Sequence, residues 1–281
     1  MAELTGGQAK GMAAGWRLGA ARRRVRERVP PFLLVLGLLV LWELFARWGG
    51  TPRWVLPSPL DILQASVEAG PLMAPHVWQT LLETWLGLAL ALAGGLFLAL
   101  LVDLSALLRR ALYPLLVASQ TIPIMALAPL LIIWFGYGIL PKVVVVFLVC
   151  FFPIAINTAD GLASADPETL ALLRSMGATR FQIFTRVRLP GAMPAFFTGL
   201  KIAITYSVVG AIIGEWVGAS KGLGIFMLRA SNAFLTARVF AAIAVTSLLS
   251  IAMFLAVLGI ERLALRWYFT AAREEQWEEI R

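Results

Sequence analysis

Six long apolar runs recur along the chain, and their length limits the fold more than any other feature of the sequence. They cover residues 31–48, 77–102, 113–135, 140–156, 194–214 and 239–263. Each approaches the roughly 20 residues that a helix needs to cross a bilayer. Only helices and closed barrels satisfy their backbone hydrogen bonds in lipid, and runs of this length favour helices. The sequence therefore predicts an all-α integral membrane protein with six transmembrane helices.

Composition agrees with a membrane protein, because 60% of the residues are hydrophobic and only 14% are charged. We divide the chain into a basic N-terminal segment at 1–29, a transmembrane domain at 30–265 and a tail at 266–281. The tail could form an amphipathic helix in water. The basic segment precedes an apolar run, as in a signal peptide. That run is too long for a signal peptide and no small-residue cleavage site follows it, so we interpret it as an uncleaved first span.

Positive charge is distributed unevenly between the segments that join the spans. Most of the 24 lysines and arginines lie in the N-terminal segment, the turn at 103–112, the segment at 166–190 and the tail. Short loops rich in Lys and Arg stay in the cytoplasm. We therefore expect both termini and the 166–190 segment to be cytoplasmic.

Prolines and glycines modify this simple pattern at three places. The segment at 49–75 holds five prolines and could contain one short surface helix at 60–68. The third run contains Pro114, Pro123 and Pro129, and a helix broken in this way is tolerated where it packs on protein or lines a cavity. The segment at 214–224 is too polar and too rich in glycine to cross a membrane, so we place it in an outer loop.

The longest structured segment between spans is predicted at 166–190, where the pattern indicates a helical hairpin. Asp166 is a good N-cap, and Pro167 suits the first helical position. Gly177 can adopt the left-handed conformation that ends a helix. The second helix is expected to end at Leu189-Pro190, because proline lacks an amide donor. The apolar side chains then share one side, and four arginines face water: Arg174, Arg180, Arg186 and Arg188.

Such a hairpin has two plainer interpretations. An apolar stripe with a basic face is often a solvated amphipathic loop, and a basic helix-turn-helix pattern can also bind DNA. The position between two membrane spans favours a third interpretation, in which the hairpin is a docking element for a cytoplasmic partner.

The chain carries no recognisable catalytic or energy-converting motif. No glycine precedes a lysine, so the phosphate-binding loop of ATPases is absent, and a single histidine, His76, cannot supply an HExxH zinc site. A lone cysteine, Cys150, excludes a disulfide within the chain and suggests no thiolate metal site. Among the ionisable residues of the predicted spans, three are expected to be buried, where they could be functional or could extend toward the interface: Glu43, Glu83 and Lys201.

The hairpin resembles the cytoplasmic signature of ABC importer permeases. That signature is a Glu-Ala-Ala triplet, three residues, a glycine, nine residues, an aliphatic residue, any residue and Leu-Pro. Here Gly177 is followed after nine residues by Val187-Arg188-Leu189-Pro190. The chain departs from the signature at the triplet, which reads Ala171-Leu172-Leu173, and this departure bears on the detailed contacts with an ATPase.

The resemblance extends over about residues 56–263. Within the family, the chain is similar to the nitrate, sulfonate and taurine branch of these permeases. It rests on the sequences at 119–123, 128–130, 134–136, 198–201, 214–218 and 222–224. Within that branch, GEWVGASKGLG at 214–224 and Ser231-Asn232-Ala233 look most like permeases for thiamine-precursor pyrimidines. Aliphatic sulfonates, taurine, nitrate and riboflavin-type substrates stay open.

The resemblance implies a transport subunit, not an enzyme, in a bacterial plasma membrane. The implied partners are two ABC ATPase subunits, a second permease copy that most simply forms a homodimer, and a periplasmic or lipid-anchored solute-binding protein. No cofactor or metal is expected on this chain, and ATP with magnesium is expected on the ATPase. The residues expected to dock in the ATPase groove or to fix the hairpin are Ala171, Leu172, Leu173, Met176, Gly177, Ala178, Phe181, Leu189 and Pro190.

Two further sets of residues are candidates for the transport path. Polar residues within or at the ends of spans could line the path or could act as hydrogen bonds between helices: Gln120, Thr121, Asn157, Tyr206 and Ser207. Outer-loop residues could form a gate or touch the binding protein: Glu215, Trp216 and Lys221. A secondary carrier or channel, or a membrane-embedded enzyme, would be alternatives from other classes.

Overall fold

The computed structural model describes residue 30 and residues 33–268, and these residues form helices joined by short turns. The helices are α1 at 33–48, α2 at Pro59–Leu104, α3 at Ala106–Ser119, α4 at Ile124–Phe135, α5 at Leu140–Ala163, α6 at Pro167–Ser175, α7 at Arg180–Ile183, α8 at Leu189–Trp216, α9 at Leu223–Asn232 and α10 at Thr236–Ala264. A π-helical turn at Phe184–Arg188 joins α7 to α8. The predicted N-terminal segment at 1–29 and most of the predicted tail lie outside the described residues.

Four helices are long and apolar enough to cross a membrane, and a bent pair is a fifth candidate. The four are Pro59–Leu104, Leu140–Ala163, Arg180–Trp216 and Thr236–Ala264, and the pair is Leu107–Ser119 with Ile124–Phe135. The first predicted span begins outside the described residues, and its described part, α1, contacts α10 through Trp42 and Phe240, whose ring centroids are 5.8 Å apart. The chain is thus an all-helical, multi-pass membrane protein, and the count of six spans stays a prediction.

Helix α2 is one continuous helix of 46 residues, and the predicted separation of a surface helix at 60–68 from a span at 77–102 is wrong. Ser58 starts it with a capping box, in which the Ser58 hydroxyl accepts from the Asp61 amide and Asp61 accepts from the Ser58 amide. Pro71 and Pro75 lie inside the helix, although a proline there costs about 3 kcal/mol. The buried Ala69 and Met73 pack this stretch onto the core, and this packing offsets the loss.

The third predicted span is broken, as its prolines indicate. Helices α3 and α4 meet at an angle of 98°, and the break contains Pro123. Pro114 and Pro129 lie inside α3 and α4 and do not break them. Gly136, with φ of 74°, ends α4 in a conformation that glycine favours.

The core of the molecule lies between α2, α5 and α8. Small residues let these helices approach closely: Gly87 of α2 lies against Val146, and Gly199 of α8 lies against the backbone of Pro153. Close contact through small residues is the usual way in which helices associate in lipid. The buried Cys150 thiol donates to the Ala203 carbonyl oxygen across 3.2 Å, which further joins α5 to α8. This three-helix core carries the hairpin at one end and a buried polar cluster at the other.

Candidate functional site

The hairpin begins as the sequence predicts, with Asp166 as the N-cap of α6. Its carboxylate accepts from the Glu168 amide at 3.2 Å, from the Thr169 amide at 3.0 Å and from the Thr169 hydroxyl at 2.6 Å. The Thr169 hydroxyl, followed by the two amides, lowers the pKa of Asp166. An ionised cap therefore holds the first turn of α6 and also suits the positive end of the helix dipole.

Gly177 makes the turn of the hairpin, which confirms the predicted left-handed stop. The φ of Gly177 is 83°. Two amides after α6 donate to carbonyl oxygens of that helix: the Gly177 amide to Arg174 and the Ala178 amide to Leu173, each across 3.0 Å. Thr179 then starts α7 with a second capping box that includes Gln182. Both ends of the turn are thus fixed by hydrogen bonds.

The second arm of the hairpin does not end at Leu189-Pro190, and that prediction is wrong. The π-helical turn at Phe184–Arg188 runs directly into α8, which begins at Leu189. The Leu189 amide bonds to the Phe184 carbonyl, five residues back. This wider turn, together with the position of Pro190 at the start of α8, lets the chain continue without the missing amide donor. The hairpin is therefore continuous with a core helix.

The tip of the hairpin exposes large apolar side chains. Met176 and Phe181 are each 75% exposed and Leu172 is 61% exposed. Of the other residues predicted to dock, Ala171, Gly177 and Leu189 are also exposed, and Leu173, Ala178 and Pro190 are half-buried. We call Leu172, Met176 and Phe181 the apolar tip. Such a patch outside the spanning part of the chain is typical of a surface that a partner covers.

Arg188 fixes the base of the hairpin, and the prediction that it faces water is wrong. Its guanidinium donates to both carboxylate oxygens of Asp103, one of them across 3.0 Å, and to the Leu162 carbonyl from two nitrogens, at 3.1 and 2.8 Å. Asp103 lies at the end of α2 and Leu162 at the end of α5. A planar fork of donors is what Arg provides and Lys does not. The exposed Arg174, Arg180 and Arg186 do face outward, as predicted.

The structure does not bring the five predicted path residues together. Gln120 and Thr121 are exposed at the α3–α4 bend, where Gln120 borders a cavity of about 610 Å³ between α3, α4, α5 and α2. Ser207 is buried and donates to the Ile204 carbonyl at 2.8 Å. The adjacent Tyr206 is 54% exposed on another face of α8. Asn157 donates to the Pro153 carbonyl at 2.7 Å, so its amide is used within α5.

The predicted outer-loop residues occupy different environments. Glu215 and Trp216 form the last turn of α8 and not a loop, and Glu215 is fully buried. Trp216 and Lys221 are exposed. The prediction failed at Glu215 because a buried carboxylate needs partners that are distant in sequence, and these are Thr80 of α2 and the start of α9.

The predicted ionisable residues and several unpredicted ones form ion pairs. Lys201 of α8 pairs with Glu261 of α10, with both Nζ–Oε distances at 2.9 Å. Glu83 is fully buried and pairs with Lys142 at 3.3 Å, whereas Glu43 pairs with Arg47. Sequence reasoning did not single out Lys142, Asp103 or Glu261. Within residues 33–268, no group of three or more His, Cys, Asp or Glu side chains is placed to hold a metal ion.

Comparison with known proteins identifies this arrangement. Residues 91–265 match the family model of the binding-protein-dependent transport system inner membrane component. The chain is 44% identical over 246 residues to the formylaminopyrimidine transport permease protein ThiX of Halalkalibacterium halodurans, covering 87% of this chain and 98% of that protein. It is 30% identical over 239 residues to the taurine transport system permease protein TauC of Escherichia coli, covering 82% and 86% respectively.

A solved structure has the same fold. An inward-facing form of the MetNI methionine ABC transporter matches 70% of this chain and 97% of its own chain, with a TM-score of 0.61 and 23% sequence identity. The family match covers more than half of the chain, and the relatives are matched over most of their length. The chain therefore belongs to the binding-protein-dependent transport system inner membrane components, and it is the permease subunit of an ABC importer.

Proposed function

We propose that this permease imports a small polar solute of the thiamine-precursor pyrimidine class. The 44% identity to a formylaminopyrimidine permease over most of both chains supports this substrate. Permeases for taurine, aliphatic sulfonates and nitrate are also similar, at 27–32% identity. These solutes are the alternatives, and a transport assay separates them.

The hairpin at 166–190 is proposed to be the coupling element. The observation that carries this proposal is the apolar tip, which is exposed on an arm that continues without a break into α8. A groove on a cytoplasmic ATPase would cover Leu172, Met176 and Phe181. Arg188 would then pass movement of the tip to α2 and α5, and access would alternate across the membrane.

The full transporter is proposed to contain two permease copies, two ATPase subunits and an external solute-binding protein. This chain has no phosphate-binding loop, so ATP with magnesium is assigned to the ATPase and no cofactor to the permease. The positive charge of the hairpin and of the N-terminal segment supports cytoplasmic termini and six spans. The division at residues 29 and 265 is part of the same proposal.

Two measurements test the function. The complex would be reconstituted into proteoliposomes with its ATPase and binding protein, and uptake of labelled formylaminopyrimidine, taurine and nitrate would be compared. ATP-dependent uptake of the pyrimidine alone is expected. Uptake by the permease alone under an ion gradient would instead favour a secondary carrier, and uptake of only taurine or nitrate would overturn the substrate assignment.

A second measurement tests the hairpin. Replacing the apolar tip residue Phe181 by Glu should abolish co-purification of the ATPase, because a charge would enter an apolar contact. The control is Arg186→Glu, a change at a nearby exposed position outside the apolar tip. Retention of the ATPase and of coupled transport by Phe181→Glu would contradict the coupling role.

A further inference from the structure

A buried polar cluster lies at the end of the core opposite the hairpin. It joins Glu83 of α2, Lys142 of α5 and Glu215 of α8, and both carboxyl groups are fully buried. Lys142 is 6% exposed and lies 3.3 Å from Glu83 Oε1. Glu83 lies one helical turn after Thr80, whose hydroxyl donates to Glu215, so the two carboxyl groups lie on the same side of α2. Two acids and one base therefore share one buried site.

Glu215 organises the contacts around this cluster. Its Oε1 accepts from the Thr80 hydroxyl at 2.6 Å, and its Oε2 accepts from the Gly224 amide at 2.5 Å. The Thr80 hydroxyl in turn accepts from the Leu223 amide at 2.9 Å. Gly222 lies so close that a side chain there would overlap the Glu215 carboxyl. Glu215 thus joins the start of α9 to α2, and both of its oxygens already have donors.

Glu83 differs from Glu215 in one respect. Its Oε1 accepts from Gln79 Nε2 at 2.8 Å and faces Lys142, but its Oε2 is buried and has no hydrogen-bond partner among the described residues. A buried acceptor without a donor destabilises the folded state. The Glu215 carboxyl, which Thr80 holds on the same side of α2, can serve Oε2 only if one of the two carboxyl groups carries a proton.

Charge leads to the same conclusion. If both carboxyl groups were ionised, the site would carry a net charge of minus one among buried residues, which is expensive. The charged or titratable groups that face the pair from the neighbouring elements are Lys142 of α5 and, beyond Thr80, His76 of α2. His76 is engaged through Nδ1 with the backbone of Gly222 at 2.9–3.0 Å. One bound proton balances the charge of Lys142.

We propose that Glu83 Oε2 holds a proton and donates it to the Glu215 carboxylate, forming a site for one proton that fastens α9 and the loop before it to the core. The pair would then be neutral together with Lys142, and every oxygen would have a partner. Glu215 stays ionised and keeps its bonds to Thr80 and Gly224.

Infrared difference spectroscopy of the full-length permease in lipid nanodiscs tests the proposal directly. A protonated carboxylic acid has a C=O stretch that is separate from the carboxylate bands, and this signal is expected in the wild type. Glu83→Gln should remove it. Lys142→Met should increase it to about twice its size, since a second proton is then needed for neutrality. The control Glu43→Gln, at a carboxylate paired with Arg47, should leave it unchanged.

Thermal unfolding gives an independent readout. The Glu83→Gln amide can donate to Glu215 at every pH, so its Tm should stay within about 2–4 °C of the wild type at about pH 4. From about pH 4 upward the wild type should lose stability relative to Glu83→Gln, because Glu83 of the unfolded chain ionises from about that pH whereas the folded protein keeps the proton. Glu215→Gln should have a lower Tm than the wild type at each pH, because the amide nitrogen cannot accept a hydrogen bond and one of the present donors would lose its acceptor.

Clear results would overturn the proposal. They are the absence of the acid band in the wild type, its persistence in Glu83→Gln, or equal pH profiles for the wild type and Glu83→Gln. If Glu83→Gln does not fold, the response of the band in Lys142→Met decides the matter, because an unchanged band there contradicts a site that balances Lys142.

Discussion

Arg188 and Asp103, which are 85 residues apart in sequence, form a bidentate ion pair that joins the base of the hairpin to the end of α2. The side chains are 24% and 12% exposed, so the pair is largely shielded from water. Two carbonyl contacts from Arg188 to Leu162 add α5 to the same junction. The base of the hairpin is therefore linked to two core helices through one side chain.

Replacing Arg188 should separate the hairpin from the core. Arg188→Lys keeps the charge but loses the fork of donors, and we expect ATP hydrolysis to continue while transport falls at least about tenfold, a loss equivalent to about 1.4 kcal/mol. Transport and hydrolysis would be measured together in proteoliposomes. The control is Arg186→Lys in the same turn, which should behave as the wild type. Equal coupling in both variants would contradict this role.

Gly177 should tolerate only residues that accept positive φ. Gly177→Val would place a β-branched residue at φ of 83° and cost about 1–2 kcal/mol, although no atom lies within 4 Å of its Cβ. Gly177→Asn should lose less, because Asn adopts this conformation more readily. Co-purification of the ATPase measures the effect. Gly191→Ala, at a helical position that is equally open, is the control. A wild-type yield with Gly177→Val would show that the turn is not needed.

The contact between α5 and α8 should not accept a larger residue at Gly199. A methyl group there would overlap the Pro153 carbonyl and lie 2.9 Å from Asn157 Cβ. We expect Gly199→Ala to destabilise the protein by about 1–3 kcal/mol through overpacking. Unfolding in detergent with a denaturant series would measure this. Gly70→Ala, which has open space, should be neutral or slightly stabilising, and equal stabilities of the two variants would refute the expectation.

In the Lys201–Glu261 ion pair, removing one charge alone should destabilise the protein more than removing both. Lys201→Met leaves Glu261, which is 5% exposed, without its partner, and should cost about 3 kcal/mol. The double variant Lys201→Met/Glu261→Met should recover most of that loss, because both charges are then removed. Thermal unfolding of the two variants, with Lys221→Met as an exposed control, measures the coupling. A double variant that is no more stable than Lys201→Met would contradict this coupling between the two charges.

Acid should weaken the first turn of α6. The pKa of Asp166 is lowered in the folded protein by the Thr169 hydroxyl and the two amides, so the cap is complete above about pH 4 and is lost as pH falls through the folded pKa. Hydrogen exchange of the Glu168 and Thr169 amides, corrected for intrinsic rates, should rise over that range. Asp166→Asn, which caps without a charge, should show no such rise.

Local signals in the sequence predicted the hairpin correctly where the structure depends on neighbours in the chain. Asp166 caps the amides of residues two and three positions later, and Gly177 forms the turn through its own backbone conformation. Each role can therefore be predicted from a few neighbouring residues. The same rules failed at Pro190 and at Pro71 of α2. A π-helical turn at the first and packing of buried residues at the second let the helices continue, and neither is encoded by the proline itself.

Long-range pairs could not be predicted from the sequence. Lys142 lies near the start of the fourth predicted span, and Glu215 lies in a glycine-rich stretch, which is why Glu215 was placed in an outer loop. Their burial depends on partners 59 residues and 135 residues away, Glu83 and Thr80. Nothing in the local pattern specifies such partners. The family, by contrast, could be recognised by its resemblance to a known signature, because the residues that carry the signature around Gly177 are close together in the sequence.

Helix α2, at 46 residues, is about 69 Å long at 1.5 Å per residue, more than twice the apolar thickness of a bilayer. It carries Asp103 at one end of the core and Thr80 and Glu83 at the other. A single helix thus connects the hairpin junction with the contacts that hold the start of α9. If the hairpin couples to an ATPase as proposed, a tilt imposed at Asp103 would also move Thr80 and Glu83, so the two ends of the core would not open independently.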